Sequence, residues 1–342
     1  MENVAISSSN PPLHQTLFEK VHQQHNSAAE AAGGAQTELP VIDISPLMEG
    51  DNSAKVAVCK KEIAKASTEW GFFQVVNHGI PCQVLGMMMM ELEVLFNRPL
   101  EEKKSCMEAA GGSYRWGAPP PKAAGASYHL SWPEAFHIPI SHLFTSEISA
   151  GHSFRSMEQY TRKVTNLASK MITALADELG QLSTFFDQTC NPGTSFMRLN
   201  KYPPCPIAAN IYGLMPHTDS DFITVLHQDQ VGGLQVMKDG EWFSVKPNPA
   251  ALVVNIGDLL QAWSNDVYNS VKHRVVTNQQ VERYSAAYFM CPLMVTEIES
   301  VGSQPQVYRK FRYGEYRDQV DKDVRQSGDK VGLARFLAST NN

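Results

Sequence analysis

Residues 221–256 read DFITVLHQDQVGGLQVMKDGEWFSVKPNPAALVVNI, and this stretch decides the fold. It holds four short runs rich in β-branched and aromatic residues, separated by Gly, Pro, Asn and Asp. Three similar runs, at 196–202, 273–277 and 284–290, lie on either side of it. Seven short strands in succession are typical of a sandwich or barrel, so we predict a β core over this part of the chain.

Helical patterns surround this β region. Apolar residues recur every three or four positions at 56–70 and at 157–179, which predicts one amphipathic helix over each stretch. A further helix is predicted at about 82–97, and two more at about 313–320 and 330–338. We therefore predict a mixed α and β fold in which helices pack outside a β core.

These patterns divide the chain into four segments. They are a flexible tail at 1–38, a helical N-terminal region at 39–195, a β core at 196–295 and a C-terminal helical extension at 296–342. Within the second segment, residues 108–152 form a long loop rich in Gly, Pro and Ala that also carries aromatic residues. Because loops of this length in compact domains are commonly functional, we expect it to line a site.

The composition excludes several classes of protein. The net charge of −6, without blocks of Lys or Arg, argues against nucleic acid as a partner. No apolar run is long enough to predict a membrane span, and the N-terminus resembles neither a secretory signal nor a transit peptide. The six cysteines include no Cys-x-x-Cys pair, which argues against a cysteine zinc site. We expect a cytoplasmic protein with reduced thiols, with the nucleus as a second compartment.

The β region contains the residues of a metal site. His217 and Asp219 form a His-x-Asp motif on an extended segment, where side chains alternate and these two share one side. His273 begins a strand 54 residues after Asp219. Two imidazoles and one carboxylate that leave coordination positions open form the facial triad of non-haem Fe(II) oxygenases. A His-x-Asp motif alone also occurs in ordinary turns, so the assignment needs support from other residues.

Arg283 and Ser285 give that support. They lie at the start of the strand after His273 and face the same way, because they are two residues apart. A guanidinium group matches a carboxylate in shape, and a serine hydroxyl adds one hydrogen bond. The pair would hold the far carboxylate of a dicarboxylic acid whose other end binds the metal. A surface salt bridge is the alternative for Arg283 alone, but two ligands and a clamp in this order favour the acid site.

Together these residues resemble the signature of plant 2-oxoglutarate/Fe(II)-dependent dioxygenases. Further matching stretches are Leu39–Asp43, Trp70–Phe73, Asn77–Ile80, Asn200–Pro206 and Gly232–Val236. The resemblance covers about residues 39–335 and implies a double-stranded β-helix, or jelly-roll, core with a helical N-terminal region. It also implies that the Tyr202 hydroxyl helps to hold 2-oxoglutarate and that Asn200 lies near the iron. Fe(II) is the implied cofactor, 2-oxoglutarate and O2 are the cosubstrates, and ascorbate is expected to stimulate the reaction.

The loop at 108–152 resembles that of gibberellin 2-oxidases, in particular the branch acting on twenty-carbon gibberellins. The similarity lies in Tyr114–Gly117 and Leu130–Pro139. It implies 2β-hydroxylation of gibberellins, which inactivates the hormone. Gibberellins are compact apolar carboxylic acids, so four loop residues are candidate substrate contacts. These are Trp116, Trp132 and Phe136 as apolar walls and Arg115 as a carboxylate partner. Ordinary packing under a long loop is the alternative for each aromatic residue.

Other functions share these motifs. A gibberellin 20-oxidase, a gibberellin 3-oxidase or a flavonoid oxygenase would have the same iron site and clamp and would differ in its product. A non-catalytic jelly-roll binding protein with a leftover metal site is the alternative of a different class. The intact combination of triad and Arg-x-Ser argues against it, and against a cupin-like enzyme that does not use 2-oxoglutarate. We expect a small-molecule gibberellin as the partner, no nucleic acid or membrane, and a monomer or weak homo-oligomer.

Overall fold

The structure is a computed structural model that describes residues 36–50, 53–109, 111–117, 130–131, 133–144, 154–190, 193–205, 211–302 and 305–338. Most of the predicted N-terminal tail and much of the loop at 108–152 lie outside the described residues. Trp132, one of the predicted substrate contacts, lies outside them as well.

Two facing β-sheets form the centre of the molecule. The strands are β1 (Gln36–Thr37), β2 (Val41–Asp43), β3 (Phe72–Val76), β4 (Ser113–Trp116), β5 (Leu130–Ser131), β6 (Glu134–Pro139), β7 (Phe196–Tyr202), β8 (Ile211–His217), β9 (Ile223–Gln228), β10 (Leu234–Lys238), β11 (Glu241–Val245), β12 (Leu252–Ile256), β13 (His273–Val276), β14 (Arg283–Met290), β15 (Glu297–Ile298) and β16 (Phe311–Arg312). The smaller sheet has the order β1-β11-β10-β13-β8-β5, and the larger sheet has the order β2-β3-β12-β9-β14-β7-β6-β4. A separate two-stranded sheet pairs β15 with β16. Of the eight strands β7–β14, the larger sheet contains β7, β9, β12 and β14, and the smaller sheet contains β8, β10, β11 and β13, with β10 and β11 paired as a hairpin. Four strands in each of two facing sheets, with repeated crossing between the sheets, make a jelly roll, so the predicted fold class is confirmed.

Helices cover the outside of the larger sheet and one end of the sandwich. They are α1 (Ser45–Glu49), α2 (Ser53–Glu69), α3 (Cys82–Phe96), α4 (Leu100–Ala109), α5 (Ile140–Leu143), α6 (Arg155–Glu178), α7 (Thr184–Thr189), α8 (Asp258–Trp263) and α9 (Tyr313–Ser327), followed by a 3-10 helix at Gly332–Phe336. The long helix α6 buries Val164, Leu167 and Met171 in the same apolar core as Val225 and Tyr288 of the larger sheet. This packing fixes the outer face of the sheet and leaves its inner face for the site.

The inner face is set by side-chain alternation along β14. Tyr284, Ala286 and Tyr288 point outwards into the helix-covered core. Arg283 and Ser285 point the other way, into the space between the sheets. The strand is largely buried on both faces, but the inner face begins with the polar residues Arg283 and Ser285 and continues with Ala287 and Phe289. The polar end of this face is where ligand chemistry is possible.

Within residues 196–295 the structure adds one strand, β8, to the seven that were predicted there. Strand β8 was not predicted, because Gly213 and Pro216 weaken the strand pattern of its sequence. Strands β2, β3, β4 and β6 come from the segment predicted to be the helical N-terminal region, yet they extend the larger sheet at both edges. The sheet therefore joins the predicted N-terminal region to the β core.

None of the six cysteines forms a disulfide. Burial raises the pKa of Cys59 to about 11, which keeps that thiol protonated and unreactive. Within the described ranges, no helix combines the length and the hydropathy that crossing a membrane requires.

Candidate active site

A cavity of about 440 Å³ lies between the two sheets. The smaller sheet contributes His217 and His273, and the larger sheet contributes Arg283 and Ser285. Helix α9 contributes further wall residues from the C-terminal side. The predicted metal ligands and the predicted carboxylate clamp therefore face one another across a single cavity of a size suited to small molecules.

The three predicted metal ligands converge. His217 ends β8, His273 begins β13, and the two residues are direct cross-strand partners with ring centroids 4.2 Å apart. Asp219 follows β8 by two residues, and its Oδ1 lies 3.5 Å from His217 Nε2 and 3.7 Å from His273 Nε2. Two imidazole nitrogens and one carboxylate oxygen thus surround a common point, as in a 2-His-1-carboxylate metal site.

Backbone carbonyl groups orient both imidazoles. His217 Nδ1 lies 2.7 Å from the carbonyl oxygen of Met215, and His273 Nδ1 lies 3.2 Å from that of Val271. A carbonyl can only accept, so each Nδ1 carries the hydrogen and each Nε2 keeps its lone pair. Both lone pairs are then available to a metal ion, and the hydrogen bond at each Nδ1 fixes the orientation of its ring.

The other oxygen of Asp219 is held by two donors. Thr224 Oγ1 lies 2.6 Å and Asn255 Nδ2 lies 2.7 Å from Asp219 Oδ2, which leaves Oδ1 directed at the histidines. Burial would raise the pKa of Asp219, but the neighbouring His273, His217 and Thr224 outweigh burial and lower that pKa. The carboxylate is therefore ionised, which is the form that binds a metal.

Asp221 extends this hydrogen-bonded arrangement. Thr224 Oγ1 lies 2.9 Å from Asp221 Oδ2 as well, although one hydroxyl hydrogen cannot serve two carboxylates. Burial, and then the charge of Asp219, raise the pKa of Asp221 well above its usual value. A protonated Asp221 that donates to Thr224, which in turn donates to Asp219, gives each of these two hydrogen bonds its own hydrogen, while Asp221 Oδ1 stays without a hydrogen-bond partner among the described residues. The buried pair of acids thus carries one negative charge, and that charge is on Asp219.

Arg283 is prepared for an anionic ligand. Its side chain is only 2% exposed, and Nη2 donates to Gln228 Oε1 at 2.7 Å. Nε and Nη1 are buried and have no hydrogen-bond partner among the described residues. A buried cation with two unused donors is unfavourable unless a ligand supplies acceptors, so this group fits the carboxylate of 2-oxoglutarate.

The remaining clamp residues are placed by strand register. Tyr202 pairs with Arg283, and Asn200 pairs with Ser285, along the antiparallel β7–β14 ladder. Arg283 stacks over the Tyr202 ring at 4.8 Å, and Asn200 Nδ2 lies 3.5 Å from Ser285 Oγ. The four residues form one polar patch on the inner face of the larger sheet.

A glycine of the smaller sheet makes room for Tyr202. A Cβ atom at Gly213 would lie 2.7 Å from Cδ1 of the Tyr202 ring and 3.0 Å from Val275. No side chain fits there without moving the tyrosine. The same glycine weakens the strand pattern in the sequence of β8. The residue that makes room for Tyr202 is therefore also one reason why this strand was not predicted.

The predicted substrate contacts are only partly brought together. Arg115 is exposed on β4 and lines the cavity. Phe136 also borders the cavity, but its ring packs into the helix-covered core, 4.7 Å from Phe96. Trp116 is half-buried and is not among the cavity-lining residues. Trp132 lies outside the described residues, so its predicted role stays a prediction, as do the roles of the other three.

The C-terminal helices are tied to the loop that carries Asp219. Thr218 Oγ1 donates to Asp258 Oδ2 at 3.0 Å, and the Tyr316 hydroxyl donates to the same oxygen. Lys330 Nζ pairs with Asp258 at 2.7 Å and donates to the Thr218 carbonyl oxygen at 2.8 Å. The residue between two metal ligands is thereby held by side chains from α9 and the segment after it.

Comparison with known proteins agrees with this geometry. Residues 193–292 match the family model described as the 2OG-Fe(II) oxygenase superfamily, and residues 39–160 match the N-terminal domain of the non-haem dioxygenase in morphine synthesis. Gibberellin 2-beta-dioxygenase 8 of Arabidopsis thaliana is 46% identical over 96% of this chain and 98% of that protein. The chain belongs to the 2OG-Fe(II) oxygenase superfamily. Gibberellin 2-beta-dioxygenase 6 of Oryza sativa subsp. japonica is 45% identical over 90% of this chain and 87% of that protein.

A solved structure shares the whole architecture of this oxygenase. The crystal structure of JOX2 in complex with 2OG, Fe and JA matches with a TM-score of 0.74 and 29% identity, over 97% of this chain and 99% of that one. The chain is therefore a 2-oxoglutarate-dependent dioxygenase that uses Fe(II) and acts on a small molecule.

Several residues that shape the oxygenase site were not predicted. Thr224 and Asn255 hold Asp219, Gln228 holds Arg283, and Asp221 holds Thr224. In the sequence they are ordinary polar positions on strands or at strand ends. Thr224 and Gln228 alternate with apolar residues of β9, so period-two alternation would have placed them on the inner face with the site.

Proposed function

We propose that this oxygenase is a gibberellin 2-oxidase that adds a 2β-hydroxyl group to gibberellins and so inactivates the hormone. The observation that carries the proposal is the 46% identity to a gibberellin 2-beta-dioxygenase over nearly the whole chain, together with an intact triad and clamp. We further propose twenty-carbon gibberellins as the preferred substrates. The support for that is the resemblance of Tyr114–Gly117 and Leu130–Pro139 to the branch that acts on them.

Three side chains would hold the iron. His217 and His273 would each use Nε2, and Asp219 would use Oδ1. When bound, Fe(II) with O2 and 2-oxoglutarate supplies the oxidation that converts a C–H bond into C–OH, and 2-oxoglutarate leaves as succinate and CO2. The task of Thr224 and Asn255 is to keep Asp219 ionised and turned towards the histidines.

The clamp residues would bind and orient the cosubstrate. Arg283 would give its two unused N–H groups to the far carboxylate, and the Ser285 and Tyr202 hydroxyl groups lie beside it on the same face. Asn200, 3.5 Å from the Ser285 hydroxyl, completes this patch. A carboxylate fixed at one end orients the opposite end of the acid, so the clamp sets the angle at which the cosubstrate meets the metal.

The rest of the cavity suits an apolar acid. Phe196 and Phe289 of the larger sheet and Val320 and Val324 of α9 supply apolar surface. These residues would exclude water from the reacting carbon and hold the rigid ring system of a gibberellin. Arg115 would meet a substrate carboxylate at the edge of the same cavity.

Product analysis tests the proposal. The purified protein is incubated with Fe(II), 2-oxoglutarate, ascorbate and a panel of nineteen- and twenty-carbon gibberellins, and the products are identified by mass spectrometry against standards. A 2β-hydroxylated product that is absent with Asp219→Ala supports the proposal. Stepwise oxidation of C20 would instead identify a gibberellin 20-oxidase, and 3-hydroxylation a gibberellin 3-oxidase. Substrate-independent release of succinate alone, with no gibberellin product, would exclude the whole group.

We also propose that the enzyme acts in the cytoplasm, with the nucleus as a second compartment, as a monomer or weak homo-oligomer. The six cysteines, none of which forms a disulfide, support the first part. Sedimentation at several concentrations, and imaging of a fluorescent fusion in plant cells, test the two parts separately.

A further inference from the structure

A second group of cations lines the cavity on the side away from Arg283. Strand register places Arg198 of β7 between His137 of β6 and Ala287 of β14 on the inner face of the larger sheet. Arg198 lies four residues before Tyr202, the partner of Arg283, so the two arginines are about 13 Å apart along the sheet. They therefore serve different parts of the cavity.

Arg198 has donors to spare. Its Nε donates to Asn200 Oδ1 at 3.1 Å. No carboxylate forms an ion pair with it in the part of the chain that the structure describes, and burial lowers the pKa of its guanidinium group. Both terminal nitrogens are thus available to a ligand in the cavity. Arg198 is half-buried in the cavity wall, and the charge of Asp219 offsets only part of the cost of burying it, so an anion in the cavity would stabilise this cation.

Two further arginines approach the same place. The pKa of His137 is lowered to about 4, first by burial and then by three neighbouring positive charges. Those charges belong to Arg198, Arg317 and Arg115, all of which line the cavity. Asp321 of α9 also lines it and partly offsets Arg317. His137 itself is neutral at physiological pH, so the positive charge here comes from the arginines.

Apolar surface lies directly beside these cations. The Phe196 ring stacks on His137 at 4.1 Å and on Phe289 at 4.5 Å, which forms a continuous aromatic floor across β6, β7 and β14. A ligand that covers this floor and reaches the arginines must combine a flat or compact apolar body with negative charge. More than one guanidinium group gives room for more than one carboxylate.

We propose that Arg198 and Arg317, with Arg115 at the cavity edge, form an anion site for the carboxylates of the substrate, and that it favours an apolar acid with two free carboxylates. This inference rests on the proposed function and refines it, since it states which gibberellins bind best. Arg198 and Arg317 are then specificity-determining residues, and Arg283 remains reserved for the cosubstrate.

The competing role for Arg198 is purely structural. Its bond to Asn200 would then only position that amide beside Ser285. In that case the loss of Arg198 weakens the binding of every ligand alike, whatever the charge of the gibberellin. A charge-specific effect separates the two roles.

The test is a binding titration that needs no turnover. A gibberellin with two free carboxylates, its two monomethyl esters and its dimethyl ester are titrated by calorimetry into the full-length protein with 2-oxoglutarate and Mn(II) in place of Fe(II). The variants are Arg198→Met and Arg317→Met. Arg325→Met is the matched control, because Arg325 lies on the same helix outside the cavity and its ion pair with Asp321 is exposed and, at 4.0 Å, at the limit of an ion pair.

In the wild-type protein we expect at least one monomethyl ester to bind about 10- to 150-fold more weakly than the diacid, the range for a hydrogen bond to a charged group. Arg198→Met should weaken the diacid by a similar factor and the corresponding ester by much less, as a double-mutant cycle requires. Arg317→Met should behave in the same way, and Arg325→Met should bind all four compounds as the wild type does. The affinity for 2-oxoglutarate should stay unchanged in all three variants.

Equal binding of diacid and dimethyl ester to the wild type would overturn this inference and leave the proposed function intact. Equal weakening of acid and ester by Arg198→Met, with no effect of Arg317→Met, would also overturn it. Absence of gibberellin binding to the wild type would overturn both. Should Arg198→Met not fold, as judged by its melting curve, the ester series and Arg317→Met still decide the question.

Discussion

Replacing Arg283 with methionine should separate cosubstrate binding from folding. Arg283 is one of the largest fully buried side chains, yet only one of its nitrogens has a protein partner. Methionine has a similar length and no charge, so Arg283→Met removes a buried cation and leaves Gln228 Oε1 as the unsatisfied atom. We expect the unliganded variant to be as stable as the wild type, to within about 1 kcal/mol.

The loss of 2-oxoglutarate binding should be much larger. Two charge-assisted hydrogen bonds at about 1.5 kcal/mol each, the low end of their range, give about 3 kcal/mol, or about 150-fold in Kd. At a cosubstrate concentration of about 100 times the wild-type Kd, binding stabilises the wild type by about 2.7 kcal/mol and the variant by about 0.3 kcal/mol. The ligand-dependent rise in Tm should therefore fall from about 4 °C to less than about 1 °C.

Thermal melts with Mn(II), with and without 2-oxoglutarate, measure both quantities in one experiment, and Arg325→Met is the surface control. A variant that keeps the full ligand-dependent rise in Tm would refute the clamp assignment. A variant that is several degrees less stable without ligand would show that Arg283 supports the fold and is not held ready for an anion. Calorimetric titration of 2-oxoglutarate then gives the change in Kd directly.

Three other perturbations follow from the site and the core. Asp219→Ala removes one metal ligand, so succinate release with substrate should fall to background, and a normal rate would exclude the triad. Gly213→Ala places a methyl group 2.7 Å from the Tyr202 ring, so the KM for 2-oxoglutarate should rise several-fold in a titration of initial rates. An unchanged KM would show that Tyr202 does not help to bind 2-oxoglutarate. Burial lowers the pKa of His227 to about 4 from its ordinary value near 6.5, so it is neutral when folded and takes up a proton on unfolding below pH 6.5. The stability that neutral His227 contributes is fully present above pH 6.5 and falls by about 3 kcal/mol towards pH 4. In urea unfolding, the free energy of unfolding of His227→Leu should therefore fall less on acidification than that of the wild type. An equal fall in both proteins would contradict this role of His227.

The metal site and the clamp could be predicted because their residues occur at a characteristic spacing in the sequence. His217 and Asp219 are two residues apart, as are Arg283 and Ser285, and the period of a strand puts each pair on one side. The seven predicted strands were also found close to their expected limits, because turn residues separate them clearly. These features are local, and local features can be read from a single chain.

What could not be predicted depends on contacts between distant segments. Asn255 reaches Asp219 from a different strand, and nothing beside either residue in the sequence indicates the pairing. Phe136 borders the cavity and its ring packs 4.7 Å from Phe96, a contact between two distant segments that neither sequence neighbourhood indicates, and its predicted role towards the substrate stays a prediction. Strand β8 was missed because Gly213, which leaves the space that the Tyr202 ring occupies, has low β propensity.

The attachment of the C-terminal helices to Asp258 limits how this enzyme can be altered. Helix α9 supplies cavity-wall residues such as Val320, so exchanging it between relatives is an obvious way to build an enzyme with a new substrate range. The same segment, however, holds the backbone between two metal ligands through Tyr316 and Lys330. A chimaera must keep those two residues matched to Asp258 while the wall positions vary. Otherwise a change intended for the substrate would loosen the metal loop, and the new enzyme would lose iron before its selectivity could be measured.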